Sequence, residues 1–258
     1  MYDEIGGTYT STRREDTRIA QAISAALGDA ASVANVGAGT GNYEPRDREV
    51  VAIEPSKVMI AQRAPDAAPA IRGFAERIPL EDGSVDAAMA VLSDQHWDDC
   101  RAGLAEMRRI ARRRVVALTL DYAVGDHFWL TQEYLPEARS LRRRDGENLY
   151  ALAAGCAGAI DVVPVPWDCT DGFFLAYWRR PRAYLDPVVR SGISLFHLLE
   201  AEYVEQAMAR LANDLASGEW RARHDDLLDV EQLDLGLRLV VWPAAGLDGE
   251  DGPDQSSR

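Results

Sequence analysis

A glycine-rich turn between two short apolar runs constrains this chain more than any other feature. The first run ends at Val36, the second ends at the acidic Glu54, and between them come Gly37, Gly39 and Gly41. Glycine is needed where the chain adopts positive φ or where a ligand lies against the main chain. An acidic residue at the tip of the following strand commonly binds the two ribose hydroxyls of a nucleoside. The segment therefore predicts a nucleoside cofactor site.

The glycine spacing distinguishes two classes of nucleoside-binding loop. The dinucleotide fingerprint G-x-G-x-x-G has its third glycine at a helix opening that receives pyrophosphate. Here the third glycine comes one residue early, at Gly41, and Asn42 stands where that fingerprint requires Gly or Ala. With Glu54 behind it, the G-x-G-x-G loop resembles motif I of the class I S-adenosylmethionine-dependent methyltransferases.

Later segments resemble the same family in the same order. Residues 73–87 are similar to the G-x-A-E-x-L-P-F-x-D-x-S-F-D stretch of the type 11 subgroup, and residues 88–97 to its fourth strand with an H-H-W-like end. The resemblance implies S-adenosyl-L-methionine as cofactor and S-adenosyl-L-homocysteine as product. It also implies a set of cofactor-binding residues, namely Tyr9, Arg13, Gly37, Ala38, Gly39, Gly41, Glu54, Pro55, Phe74, Ala75, Glu76 and Leu92.

Two positions depart from the family pattern. Many relatives have Asp where Phe74 stands, so adenine recognition is expected from backbone groups near Phe74 and Ala75, or from Glu76. The Phe74 ring could also stack on the base. Gln95 replaces the first of two histidines that often precede the tryptophan, which leaves His96 alone.

Candidates for the acceptor side come from the segments after the fourth and fifth predicted strands. An oxygen or amine acceptor has a proton to lose, and His96 is the leading candidate for the base, with a packing role as the alternative. Asp94 could orient the base or bind the methionine amino group. His127, Trp129 and Trp167 are predicted to line the acceptor pocket. The four histidines lack the close spacing of zinc ligands, so no metal site is predicted.

Apolar runs alternate with helical segments, which predicts an α/β fold. The implied architecture is a Rossmann-like class I methyltransferase sheet, mostly parallel, with helices on both faces and helical insertions that cover the substrate. Strands are predicted near 32–36, 49–53, 70–72, 85–91, 115–120, 160–165 and 237–242, and a first helix over 12–27. The predicted parts are an N-terminal lid helix (1–30), a cofactor-binding core (31–122) completed by strands near 160–166 and 235–243, substrate-covering insertions (123–159 and 167–229) and a disordered tail (244–258).

Charge and composition limit the classes of molecule that this protein is expected to bind. The chain has 258 residues and a net charge of -14, so a phosphate backbone would meet a repulsive field and a nucleic-acid substrate is disfavoured. The arginine runs within 108–114 and 142–144 are expected to be solvated helix faces or helix ends. No apolar run approaches the ~20 residues of a membrane helix. A cytoplasmic protein with a small-molecule acceptor is expected, and the oligomeric state stays open.

Two other classes of function remain open from the sequence. Glu54 would also suit a nicotinamide-dependent oxidoreductase, although the glycine spacing and residues 73–97 argue against one. The second alternative is a protein that keeps the fold and binds the cofactor without methylating, such as a cyclase or a binding subunit. The two departures from the family pattern leave room for it.

Overall fold

The computed structural model describes residues 13–144, 148–154 and 158–244, without the side chains of residues 142–144. The predicted lid residue Tyr9 and the predicted tail from residue 245 onward lie outside this part of the chain. Ala244, the first residue of that predicted tail, is buried, and its N–H donates to the Arg113 carbonyl at 3.1 Å.

The centre of the molecule is a mixed seven-stranded sheet. Its order is β3-β2-β1-β4-β5-β9-β6, in which β1 to β5 run parallel and β9 is antiparallel to both β5 and β6. Strands β7 and β8 pair separately. The strands of the described residues are β1 (Ser32–Val36), β2 (Glu49–Ile53), β3 (Ala70–Ile71), β4 (Val85–Val91), β5 (Ala111–Leu120), β6 (Ala159–Val162), β7 (Val165–Pro166), β8 (Gln232–Leu233) and β9 (Leu237–Pro243).

Helices cover both faces of this sheet. The described α-helices are α1 (Thr17–Leu27), α2 (Lys57–Ala61), α3 (Cys100–Ile110), α4 (Tyr122–Gly125), α5 (Ala138–Arg144), α6 (Leu149–Ala154), α7 (Pro187–Ser191), α8 (Ser194–Leu198), α9 (Ala201–Ser217) and α10 (Glu219–Arg223). A π-turn spans Leu130–Tyr134, and 3₁₀ turns span Asp94–His96, Pro181–Leu185 and Asp225–Asp229. Among the described helices, none is both long enough and apolar enough to cross a bilayer.

Two hydrophobic cores form because successive strand residues point to opposite faces of the sheet. Val33 of β1 packs with α1 and with the aromatic residues of the helical blocks. Ala34, the next residue, packs in the other core with α3 and α6. This arrangement confirms the predicted α/β class, with a mostly parallel sheet between two helical layers.

Two predicted boundaries are corrected. Helix α1 begins at Thr17 rather than at residue 12, because the Asp16 carboxylate accepts a hydrogen bond from Arg18 N at 3.0 Å and caps the helix. Arg13 therefore precedes the helix. The single strand expected near 160–166 is divided between two sheets, in β6 and β7.

The arginines at 112–114 lie in β5 and not on a helix. Arg112 pairs with Asp86 at 2.7 Å, and Arg113 pairs with Asp29 at 2.6 Å. Backbone pairing carries the strand through this run, since Ala111 pairs with Val85 of β4 and Arg114 pairs with Pro243 of β9. Neighbouring acids match the charges of Arg112 and Arg113. The run is therefore not an open basic patch.

Candidate functional site

The glycine-rich loop after β1 depends on backbone conformations that suit glycine. The φ angles are 71° at Gly37, 54° at Gly39 and 98° at Gly41. A Cβ atom added at Gly37 would lie 2.5 Å from the Cβ of Ser93, which follows β4. The loop is tied to β2 because Gly37 N donates to the Ile53 carbonyl at 2.9 Å. The loop thus presents bare main chain at the carboxyl ends of β1, β2 and β4.

Glu54, at the tip of β2, is a buried carboxylate with two backbone partners. Its Oε2 accepts from Gly39 N and its Oε1 accepts from Ser56 N, both at 2.8 Å. Ser56 in turn caps α2, since its Oγ accepts from Met59 N at 3.2 Å. Each carboxylate oxygen can accept a further hydrogen bond. Glu54 is therefore held in place and can still bind hydroxyl groups of a ligand.

A cavity that is partly open to solvent lies between these strand tips. Most of the residues that the sequence predicted for the site line it, namely Arg13, Gly37, Ala38, Gly39, Glu54, Pro55, Ala75, Leu92 and His96. The alternating pattern predicted from sequence thus brings these positions to one edge of the sheet.

His96 lies at the cavity in the 3₁₀ turn that follows β4. The turn is made possible by Leu92, whose φ is 48°, and whose N–H donates to the Leu118 carbonyl at 2.8 Å. Burial, together with the positive charge of Arg13, lowers the pKa of His96 to about 4. The imidazole is consequently neutral at neutral pH.

Two asparagines at the cavity were not predicted as site residues. Asn35 Nδ2 donates to Glu44 Oε1 at 3.1 Å, and this bond does not involve the amide oxygen Oδ1. Among the described residues, neither Asn35 Oδ1 nor Asn42 Nδ2 has a hydrogen-bond partner. Buried polar atoms are rarely left unpaired. The cavity thus offers one acceptor and one donor, which suits a ligand bearing both an ammonium and a carboxylate group.

Sequence reasoning also missed Tyr43, Met59 and Trp97, all of which line the cavity. Tyr43 has a φ of 65° and is almost fully buried. Trp97 follows His96 and packs so closely on α3 that a Cβ at Gly103 would lie 2.5 Å from the indole. The sequence signal that could have identified Tyr43 as a site residue is its position directly after the glycine loop.

Three predicted cofactor residues lie away from the cavity. Phe74 is 54% exposed, because a bridge to Arg77 turns it outward. The Glu76 carboxylate accepts from the backbone N–H groups of Asp98 and Asp99, at 2.8 and 3.2 Å, and so supports the start of α3. Gly41 lies at the end of the loop, beside the Glu44 and Arg63 side chains.

The predicted acceptor residues are also corrected. His127 is exposed and pairs with Gln132, at 3.2 Å between Nδ1 and Nε2. Trp129 is a core residue whose Nε1 donates to the Trp178 carbonyl at 2.8 Å. Trp167 is 41% exposed, and the Arg179 guanidinium lies over its ring. None of the three predicted side chains lines the described cavity.

Asp94 faces away from the cavity into the second core. Its Oδ2 accepts from Thr119 Oγ1 at 2.6 Å and from Leu149 N at 3.0 Å. Burial raises the pKa of this carboxyl group. Asp94 therefore joins β4, β5 and α6, and its predicted role beside His96 or the methionine amino group is replaced by a structural one. Within residues 13–144, 148–154 and 158–244, no group of three or more His, Cys, Asp or Glu is suited to a metal ion.

Comparisons with known proteins agree with this geometry. A family profile described as a methyltransferase domain, of type 11, matches residues 34–118. A solved structure from Anabaena variabilis ATCC 29413, assigned as a methyltransferase of an antibiotic biosynthesis pathway, is 32% identical, with a TM-score of 0.82 over 89% of this chain and 98% of that chain. No curated protein sequence matches the chain.

Two weaker likenesses concern other solved methyltransferases. A possible histamine N-methyltransferase from Thermotoga maritima is 23% identical, with a TM-score of 0.46 over 58% of this chain and 75% of that chain. Geranyl diphosphate C-methyltransferase from Streptomyces coelicolor A3(2) is 16% identical, with a TM-score of 0.48 over 88% of this chain and 76% of that chain.

The fold, the family profile and the Anabaena relative confirm the resemblance that the glycine loop and residues 73–97 indicated. The strand-tip cavity, its buried Glu54 carboxylate and its unpaired amide groups fit S-adenosylmethionine as the cofactor. The chain belongs to the class I S-adenosylmethionine-dependent methyltransferases of the type 11 subgroup.

Proposed function

We propose that this protein transfers the methyl group of S-adenosylmethionine to an oxygen, nitrogen or carbon atom of a small organic molecule. The observation that carries the proposal is the cavity itself, which is lined by the glycine loop, Glu54 and His96 together. In this proposal Glu54 binds the ribose hydroxyls. The glycine loop, Asn35 and Asn42 bind the amino-acid end.

The charges of the chain favour a small acceptor over a polymer. The net charge of -14 would repel nucleic acid. Arginines that could have formed a basic surface are paired instead, as Arg109 is with Glu106 and Asp82, both at 2.7 Å. The Anabaena relative is assigned to an antibiotic biosynthesis pathway, and a secondary metabolite is the class of acceptor that we infer from this likeness.

The chain's own contribution to the chemistry is alignment and proton transfer. The bound sulfonium supplies an activated methyl group, so the protein needs no nucleophile of its own. Holding an acceptor at near-attack distance is worth ~7–11 kcal/mol in favourable intramolecular cases. In this proposal His96, which lines the cavity with a neutral imidazole, accepts the proton that an oxygen or amine acceptor loses. Trp97 and Leu92 line the same cavity and give it an apolar wall.

The proposal is tested in two steps. Calorimetry with S-adenosylhomocysteine should give saturable heat, and titration with NADH should give none. A panel of small phenols, amines, carboxylic acids and activated carbon acids is then incubated with S-adenosylmethionine, and the release of S-adenosylhomocysteine is measured for each acceptor.

The two steps separate the alternatives. Absence of S-adenosylhomocysteine binding by the folded protein would reject the cofactor site. Binding without product across the panel would favour a protein that uses the fold for other chemistry, and binding of NADH would favour an oxidoreductase.

A further inference from the structure

One buried carboxylate lies behind the cavity wall that contains Arg13. Asp171, in the segment of turns between β7 and the 3₁₀ turn Pro181–Leu185, has a side chain that is 0% exposed. Its Oδ1 accepts from Arg13 Nε at 2.6 Å, and its Oδ2 accepts from Arg13 Nη2 at 3.2 Å. The Tyr43 hydroxyl donates to the same Oδ2 at 3.0 Å. Three segments far apart in sequence therefore meet at one side chain.

The hydrogen bonds around Asp171 have defined directions. Burial raises the pKa of Tyr43, and the negative charge of Asp171 raises it further. The Tyr43 hydroxyl is therefore protonated and donates to Asp171, while it accepts from Asp16 N at 3.3 Å. A buried carboxylate is stable only when it is paired and hydrogen-bonded. Arg13 and Tyr43 together satisfy that requirement.

Arg13 and Tyr43 line the cavity, whereas Asp171 does not. The Nε and Nη2 atoms of Arg13 form a two-pronged contact with the carboxylate, which fixes the plane of the guanidinium. An arginine that is already ordered loses less side-chain entropy when a ligand binds. Asp171 thus sets the geometry of a cation at the cavity without reaching the ligand itself.

We propose that Asp171 is a positioning residue for the amino-acid end of the cofactor. It holds the Arg13 guanidinium and the Tyr43 ring beside the glycine loop, where Arg13 contacts the methionine carboxylate. This inference rests on the proposed function, in which the methionine tail lies at the glycine loop. In this proposal, the segment of turns between β7 and the 3₁₀ turn Pro181–Leu185 contributes to the cofactor site.

The test compares two ligands that differ at one end. S-adenosylhomocysteine has the amino-acid tail, whereas 5′-methylthioadenosine keeps the adenosine and a thioether but lacks that tail. Their affinities are measured by calorimetry for the unmodified protein and for Asp171→Asn. Asp168→Asn is the matched control, because Asp168 lies three residues away, is 49% exposed and pairs with Arg18 at 2.7 Å.

We expect Asp171→Asn to weaken S-adenosylhomocysteine binding by about tenfold or more, as loss of a charged hydrogen-bonding partner usually does. Binding of 5′-methylthioadenosine should stay within about twofold, and Asp168→Asn should change neither affinity by more than about twofold. A variant that merely disturbed the fold would weaken both ligands. Equal losses for the two ligands, or no loss for either, would overturn the inference.

A second variant covers the case in which Asp171→Asn does not fold. Arg13→Lys keeps the charge but cannot donate to both carboxylate oxygens from one planar group. Selective weakening of S-adenosylhomocysteine by this variant supports the inference, and unchanged affinity overturns it. If the unmodified protein binds neither ligand, the proposed function fails, and this inference fails with it.

Discussion

Replacing Gly37 by alanine tests whether the loop after β1 requires glycine for conformation, for space, or for both. Gly37 has a φ of 71°, and an added Cβ would lie 2.5 Å from the Cβ of Ser93. Rotation of the serine side chain cannot relieve this contact, since Cβ is attached to the backbone. The Ser93 Oγ also donates to the Val36 carbonyl at 3.0 Å, which keeps the serine in place.

The magnitude has two parts. Left-handed backbone costs an L-residue about 1–2 kcal/mol, partly offset by about 0.4–1 kcal/mol because alanine restricts the unfolded chain. Insertion of a methyl group into closely packed space costs about 1–3 kcal/mol more. We therefore expect Gly37→Ala to lower the free energy of unfolding by about 2–4 kcal/mol, a large part of the 5–15 kcal/mol typical of a whole protein.

Two other glycines provide matched controls. Gly218, after α9, has a φ of 87° and no atom within 4 Å of an added Cβ, so Gly218→Ala isolates the conformational cost. At Gly39 the Cβ would lie 3.3 Å from the flexible end of the Met59 side chain, so Gly39→Ala should fall between the other two variants. Urea denaturation of the three variants measures the series. If Gly37→Ala were no less stable than Gly218→Ala, the packing argument would be refuted.

Three further predictions concern the cavity. Glu54→Ala should weaken S-adenosylhomocysteine binding by about 1–3 kcal/mol in calorimetry, and unchanged affinity would remove Glu54 from the site. Burial lowers the pKa of His96 from the ordinary histidine value of 6.5 to about 4, so between these two pH values His96 binds a proton only when the chain is unfolded, and acid destabilises the native state. The stability advantage of the unmodified protein over His96→Asn should therefore fall by about 2 kcal/mol from pH 7 to pH 5 in urea denaturation, and a constant difference would contradict the lowered pKa. Trp167→Ala should leave the rate of methyl transfer to an acceptor identified in the panel unchanged, because this side chain lies on the surface; a tenfold loss of that rate would return Trp167 to the acceptor pocket.

The sheet could be predicted closely where apolar patterning marks the strands. The bounds predicted for β1, β2 and β4 coincide with those of the structure, because each is a short apolar run ended by polar or glycine residues. Strand β5 begins at Ala111, four residues before its apolar run at 115. Backbone pairing with β4 and β9 extends it through the arginines, and hydropathy does not report such pairing.

The site divides in the same way. The glycine loop and Glu54 were predictable because their positions at strand tips follow from local sequence and parallel topology. Trp129 was misassigned because an aromatic residue in a core and one at a ligand site have the same local sequence signal. The hydrogen bond between Tyr43 and Asp171 joins residues 128 positions apart, and no local pattern predicts such a contact.

Residues at the strand tips and residues outside the sheet contribute differently to the proposed cofactor site. In the proposed site, the cofactor is held by the main chain of the loop after β1 and by the Glu54 carboxylate at the tip of β2. Asp171 lies outside these strands, and its contacts with Arg13 and Tyr43 connect the segment after β7 to the cavity. A change of acceptor that remodels the segment around Asp171 must therefore preserve this carboxylate, or replace the anchor of Arg13 by another.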